Sequence, residues 1–160
     1  MKILLLSDSH GKIDNALRVY RSLADIDVIV HLGDYARDAK TLSRELRREV
    51  FSVAGNCDGH YAENGYKILE TDFGRIFVAH GHVEGVKQGF QNLIYKAESL
   101  DCKAAFFGHT HLAYYREMEG FYLLNPGSIT LPGIDGRVSY AVAEVGKEGF
   151  NAAVLYATAR

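Results

Sequence analysis

The chain has 160 residues, 48% of them hydrophobic and 24% charged, with a formal net charge of −2, which suits one domain with a proper core (residues 1–160) and leaves too little for two. No basic field marks nucleic acid as an obligate partner, and runs such as "KILLL" and "DVIVHL" fall far short of the roughly 20 residues that cross a bilayer. With no charged-then-apolar leader, and with Cys57 and Cys102 outside any CxxC spacing, we expect a cytoplasmic protein with no membrane partner, disulfide framework or structural zinc knot.

In chain order, residues 2–6 and 27–32 are short continuous apolar runs of the kind covered on both faces, which predicts two buried strands. Between them Ile13, Leu17, Tyr20 and Ala24 recur at helical spacing, with Ala16 and Leu23 beside them, giving a βαβ unit. Ala39, Leu42 and Leu46 predict a helix over 36–47, followed by the strand "VFSVAG" and a loop at "GNCDGH". "YKILETDFGRIFVAH" then reads as two strands joined by a tight turn at Asp72 to Arg75, hence antiparallel. Phe90, Leu93, Ile94, Ala97 and Leu100 share a helical face and lead to the strand "KAAFF". Strands and turns follow to the end: "AYYREMEGFYLLN", "NPGS", "RVSYAVAEV", "GKEG" and a last strand near "FNAAVLYA". Parallel units first and hairpins later predict an α/β fold, a four-layer α/β/β/α sandwich of two mixed sheets flanked by helices.

Polar donors gather where the strands run out. Asp8 and His10 follow "KILLL", Asp34 follows "DVIVHLG", Asn56 follows "VFSVAG", His80 follows "RIFVA", and His109 and His111 follow "KAAFFG". Ligand sites in open α/β sheets lie outside the carboxyl ends of strands. A lone Asp there is usually a cap or turn former, and a lone His is usually a hydrogen-bonded core residue. Seven O and N donors at five strand ends are harder to explain separately. Two carboxylates buried side by side without a cation would raise each other's pKa and destabilise the fold. In "DSH" and "HTH" the spacing of two would turn both side chains of each pair to one side if strand geometry continued.

Taken in order, "DSH", "GD", "GNCD", "HGH", "GHTH" and "NPGS" resemble the motifs of the calcineurin-like metallophosphoesterase superfamily over residues 6–128, and the chain looks most like its small YfcE-like phosphodiesterases. The resemblance implies one metal on Asp8, His10 and His111, a second on Asn56, His80 and His109, and Asp34 bridging. Imidazole and carboxylate suit Mn²⁺, with Ni²⁺, Fe²⁺, Co²⁺ or Zn²⁺ as other candidates, and argue against Ca²⁺. Two such ions, two carboxylates and a bridging hydroxide leave a net charge of about plus one, which a phosphodiester monoanion neutralises. The implied activity is therefore hydrolysis of a small phosphodiester by a metal-bridging hydroxide, with Asp34 and Asn56 serving catalysis through the metals. A phosphomonoesterase or nuclease on the same site, and a non-catalytic scaffold like the retromer subunit that shares this fold, are the rival readings.

Other residues have less definite roles. Cys57 stands where the wider superfamily commonly has the His of "GNH[DE]", so it either meets the leaving group or fills the loop as a small thiol. Asp58 orients Cys57 or caps the following turn. His82 lines the substrate pocket or exchanges roles with His80, which ends its strand directly. His31 reads as core or support, His60 as exposed, and Asn125 and Ser128 as supports for the metal loops. Tyr114 and Tyr115 serve core packing, a homodimer surface or substrate stacking.

Overall fold

The computed structural model describes residues 1–61, 65–132 and 136–159, without the side chains of His60 and Tyr61, so the expectation for His60 lies outside the described residues. The elements are β1 (Lys2–Leu6), α1 (Asp14–Ser22), β2 (Val28–His31), α2 (Ala36–Leu46), β3 (Val50–Ser52), β4 (Tyr66–Thr71), β5 (Gly74–Ala79), α3 (Gln91–Glu98), β6 (Cys102–Phe106), β7 (Ala113–Met118), β8 (Phe121–Pro126), β9 (Arg137–Gly146) and β10 (Gly149–Thr158). They form two five-stranded sheets with strand orders β10-β9-β1-β2-β3 and β4-β5-β6-β8-β7. Each is mixed: β1, β2 and β3 run parallel in the first and β5, β6 and β8 in the second, with antiparallel strands outside them.

Alternation along the strands explains the layering. In β1, Ile3 and Leu5 face the second sheet, while Leu4 and Leu6 face the layer of α1 and α2. In β6, Ala104 and Phe106 meet the first sheet and Ala105, with Phe107 just beyond, meets the side of α3. Central strands therefore need apolar residues at every position, which is why they read as unbroken runs. Phe106 is wholly buried between the sheets, and truncation to Ala should cost about 3–5 kcal/mol. The four-layer α/β/β/α sandwich expected from the sequence is the observed one.

Helix ends differ in detail. α1 stops at Ser22 because Leu23 turns extended (φ −104°, ψ 146°), which leaves Ala24 exposed and outside the helix. α2 opens at Tyr35 in left-handed backbone (φ 69°) with no cap from its own side chain; the Ala36 N–H instead donates to Asp58 Oδ1 (2.6 Å). The β4–β5 turn is shorter than expected. Thr71 pairs with Gly74, so Asp72 and Phe73 alone form the loop, and Thr71 Oγ1 closes it onto Gly74 O (2.7 Å). Part of "GNCDGH" is a 3₁₀ turn over Asn56–Tyr61 rather than irregular loop, interrupted at Gly59 (φ 72°).

Candidate metal centre

The parallel strands of both sheets deliver their carboxyl ends to one rim of the sandwich, and the seven donors named above follow those ends. The backbone there departs from strand geometry. Asp8 (φ 56°), His10 (47°), Asp34 (53°), His109 (66°) and His111 (58°) are left-handed, a conformation that Asp and His tolerate better than most residues but that still costs of order 1–3 kcal/mol each. The shared facing expected for the pairs fails for "HTH": the His109 ring lies against His80 and that of His111 against His10.

One group is tight. Donor atoms of Asp8, His10, Asp34 and His111 all lie within 4.8 Å of one another. His111 Nε2 is 3.2 Å from Asp8 Oδ1 and 3.4 Å from His10 Nε2, and His10 Nε2 is 3.9 Å from Asp34 Oδ2. Asp8 Oδ2 accepts from Ser7 Oγ (2.5 Å) and from the His109 N–H (3.3 Å), whereas Oδ1, also buried, faces only the His111 ring. Burial pushes the Asp8 pKa up, but contact with His111, the nearby His80 and the Ser7 hydroxyl outweigh it and hold the carboxyl below the usual value. The carboxylate drives the His111 pKa up against the opposing effect of burial.

The second group surrounds His80. Its Nδ1 lies 2.7 Å from Leu32 O, and since a carbonyl only accepts, Nδ1 carries the proton. That leaves Nε2 facing Asn56 Oδ1 (3.1 Å) and Asp34 Oδ1 (3.4 Å). The rings of His80 and His109 are 5.0 Å apart, and burial, then His80 and Lys87, lower the His109 pKa to about 4. Asp34 lies between the groups with Oδ1 toward His80 and Oδ2 toward His10. His82 is 5.4 Å from His80 and 6.1 Å from His109 by ring centroids, and its buried Nδ1 has no hydrogen-bond partner. Burial, then His80, lower its pKa.

Cys57 is exposed beside this group. Its N–H donates to Asp34 Oδ1 (3.1 Å), its Sγ accepts from Asn56 Nδ2 (3.5 Å), and shielding together with the Asp34 carboxylate pushes the thiol pKa up. Asp58 takes neither role expected for it. Its carboxylate spans the Gly55 N–H (2.8 Å) and the Ala36 N–H, tying the "GNCD" loop to the start of α2. Asn125 Nδ2 donates to Gly108 O (2.9 Å) and Ser128 Oγ to Asp8 O (3.0 Å), so "NPGS" supports both the "GHTH" and "DSH" loops. A side chain at Gly55 would run into Asp34 Oδ1, and one at Gly108 into Ser7 Oγ; glycine is needed there for close approach. His31 is wholly buried as expected, and with Ser9 and Asp38 forms hydrogen bonds that sequence reading missed, because Asp38 falls beside Ala39 within a helix and carries no motif.

Imidazole nitrogens, carboxylates and one amide oxygen, with Asp8 Oδ1 held only by His111 and with His80 Nε2 converging on two oxygens, form a donor set that fits divalent cations. Such a set on an α/β/β/α sandwich defines the class: a metal-dependent phosphoester hydrolase. The chain belongs to the calcineurin-like phosphoesterase superfamily, whose domain model matches residues 1–148. It is 35% identical over 144 residues to Probable metallophosphoesterase YsnB of Bacillus subtilis (strain 168), covering 89% of this chain and 83% of that one. It is 28% identical over 170 residues to Phosphodiesterase YfcE of Escherichia coli (strain K12), covering 90% and 88%. The solved structure of a predicted phosphoesterase from Streptococcus pneumoniae TIGR4 superposes with a TM-score of 0.81 at 27% identity, over 97% of this chain and 88% of that one. Zinc-complexed Vps29 from Entamoeba histolytica, at 20% identity and a TM-score of 0.75 over 98% of this chain and 99% of that one, shares the fold. Family and residue cluster together point to a dinuclear divalent site. Among the described residues no helix is long and apolar enough to cross a membrane.

Proposed function

We propose that this chain hydrolyses a small phosphodiester with Asp8, His10 and His111 on one divalent ion, Asn56, His80 and His109 on a second, and Asp34 shared between them. The observation that carries the assignment is His80: with Nδ1 committed to Leu32 O, its Nε2 converges with Asn56 Oδ1 and Asp34 Oδ1, three donor atoms of the kind that share a divalent cation. Mn²⁺ is the preferred occupant, since imidazole, carboxylate and amide donors without thiolate suit it. A bound pair of ions supplies charge that polarises a phosphoryl oxygen and lowers the pKa of a water.

The chain's own part is placement. Asp34 offers one oxygen to each group, the Cys57 N–H fixes Oδ1, and Ser7 with the His109 N–H fixes Asp8 Oδ2 so that Oδ1 is left to the His10 and His111 side. Cys57 and His82 lie at the margin of the second group and are assigned to the leaving-group side. Monoester hydrolysis ranks behind this reading because a site charge of about plus one matches a diester monoanion, nucleic-acid hydrolysis because the sequence shows no basic stripe, and the non-catalytic scaffold because all seven donor positions are filled. Cytoplasmic location, a single domain over residues 1–160 and a homodimer complete the proposal. Loss of activity on an activated aryl phosphodiester after chelation, and its return with Mn²⁺, tests the assignment.

A further inference from the structure

A buried line of hydrogen bonds joins the loops that carry His10 and Asp34. The Gly33 N–H donates to His31 Nδ1 (3.3 Å), which places the proton of the neutral ring on Nε2, 2.9 Å from Ser9 Oγ. The Ser9 hydroxyl donates in turn to Asp38 Oδ2 (2.7 Å), and the same oxygen accepts the Gly11 N–H (2.8 Å). A carboxylate only accepts, so the donors run in one direction, from Gly33 to Asp38. His31 and Ser9 are wholly buried and Asp38 is 6% exposed. Burial holds the His31 pKa down, against the opposing pull of Asp38, which agrees with a neutral ring. Asp38 sits in the first turn of α2, where the helix dipole favours a negative charge.

Burying a serine, a histidine and an aspartate costs stability unless every group is satisfied, so what the line connects matters. Ser9 separates Asp8 from His10, Gly11 follows His10, and Gly33 precedes Asp34. The β1–β2 pairing ends at Leu6 and His31. Beyond it the backbone bonds between them are Leu32 N–H to Leu6 O (2.9 Å) and Asp8 N–H to Gly33 O (3.2 Å), neither of which includes His10 or Asp34, and Ser9 Oγ also lies 3.5 Å from Asp34 O.

We infer that His31, Ser9 and Asp38 form a positioning relay that sets the separation of His10 and Asp34, and through it the affinity of the centre for its divalent ion. The inference rests on the reading that His10 and Asp34 hold metal. None of the three touches the reacting atoms.

Calorimetric titration of chelator-stripped protein with Mn²⁺ tests it, using wild type, Ser9→Ala, Asp38→Ala and Asp38→Asn, with the Tm of each stripped protein measured in parallel. Ser9→Ala and Asp38→Ala should raise the Mn²⁺ Kd by about 10- to 100-fold. Asp38→Asn keeps an oxygen that accepts both hydrogen bonds and should stay within about threefold of wild type. Unchanged affinity in Ser9→Ala with a lowered Tm would show a merely structural role and overturn the inference, as would Asp38→Asn binding as weakly as Asp38→Ala. Should Asp38→Ala fail to fold, Ser9→Ala and Asp38→Asn decide the matter. Wild type that binds no Mn²⁺ overturns the metal assignment itself, a result distinct from failure of the relay alone.

Discussion

His80 Nδ1 donates to the carbonyl oxygen of Leu32 at 2.7 Å, across the gap between the two sheets, and so fixes which nitrogen of the ring faces Asp34. Ligands that are preset in this way should gain stability from a cation that binds the folded site and not the unfolded chain. We expect chelator-stripped protein to be inactive on an aryl phosphodiester and to recover with Mn²⁺, Ni²⁺ or Co²⁺. Its Tm should rise by roughly 5–10 °C at metal concentrations a hundredfold above Kd. Full activity of the stripped protein would refute the assignment.

Asp34 turns one oxygen toward each donor group, so Asp34→Asn removes charge from both at once. Turnover should fall by several orders of magnitude, while Lys147→Ala, in the distant β9–β10 turn, should be almost silent. Comparable losses in the two variants would mean that the site lies elsewhere.

Cys57 is exposed next to Asn56 and Asp34, and a thiol whose pKa is pushed up donates a proton poorly near neutrality. Cys57→His should therefore matter little for aryl esters and raise kcat/KM by about 10²-fold for alkyl or nucleoside leaving groups. Cys57→Ala should keep most of the aryl activity. The measurement is kcat/KM across esters graded by leaving-group pKa; parallel slopes for wild type and both variants would leave Cys57 as loop packing.

The stability of metal-free protein should depend on pH through His109 and His111 in opposite senses. His109 titrates near 6.5 when unfolded and at about 4 when folded, so its contribution is whole above 6.5 and is lost as pH falls toward 4. His111, raised by Asp8, contributes fully below 6.5 and loses that contribution as pH climbs through its folded value. The Asp8 contribution is whole above 3.8 and fades as pH falls through its lowered folded value. In Tm measured against pH, His109→Gln should flatten the fall between 6.5 and 4, whereas His111→Gln should leave the slope there unchanged and flatten the decline as pH climbs above 6.5. A His109→Gln curve that parallels wild type would contradict the burial argument.

The aromatics that suggested a dimer are largely used within the chain. Tyr114 packs on Phe90 (4.8 Å between centroids) and Tyr122 stacks on Phe150 (4.4 Å). What still motivates the proposal is that β7 is an outer strand of its sheet and Tyr115 is 39% exposed. Light scattering at micromolar concentration should give twice the 17.8 kDa chain mass; a monomer mass ends the proposal.

Strands such as β1 could be read from the sequence because both faces are buried, which forces every position from Ile3 to Leu6 to be apolar. The candidate donors were legible for the same reason, as the polar residues just past such runs. Local chemistry also sufficed for α2 and α3, whose apolar residues repeat at the helical period. It could not place the end of α1, where Ala24 keeps the period after the backbone has turned extended. Nor could it show that His109 joins His80 while His111, two residues on, joins His10 and Asp8, or that Asp58 caps a helix 22 residues before it. Those relations depend on left-handed turns at the strand ends and on β1 lying beside β2 while β6 lies beside β5. Asp8 and His111 stand 103 positions apart in the chain and 3.2 Å apart at the rim, a proximity that only the packing of two sheets creates.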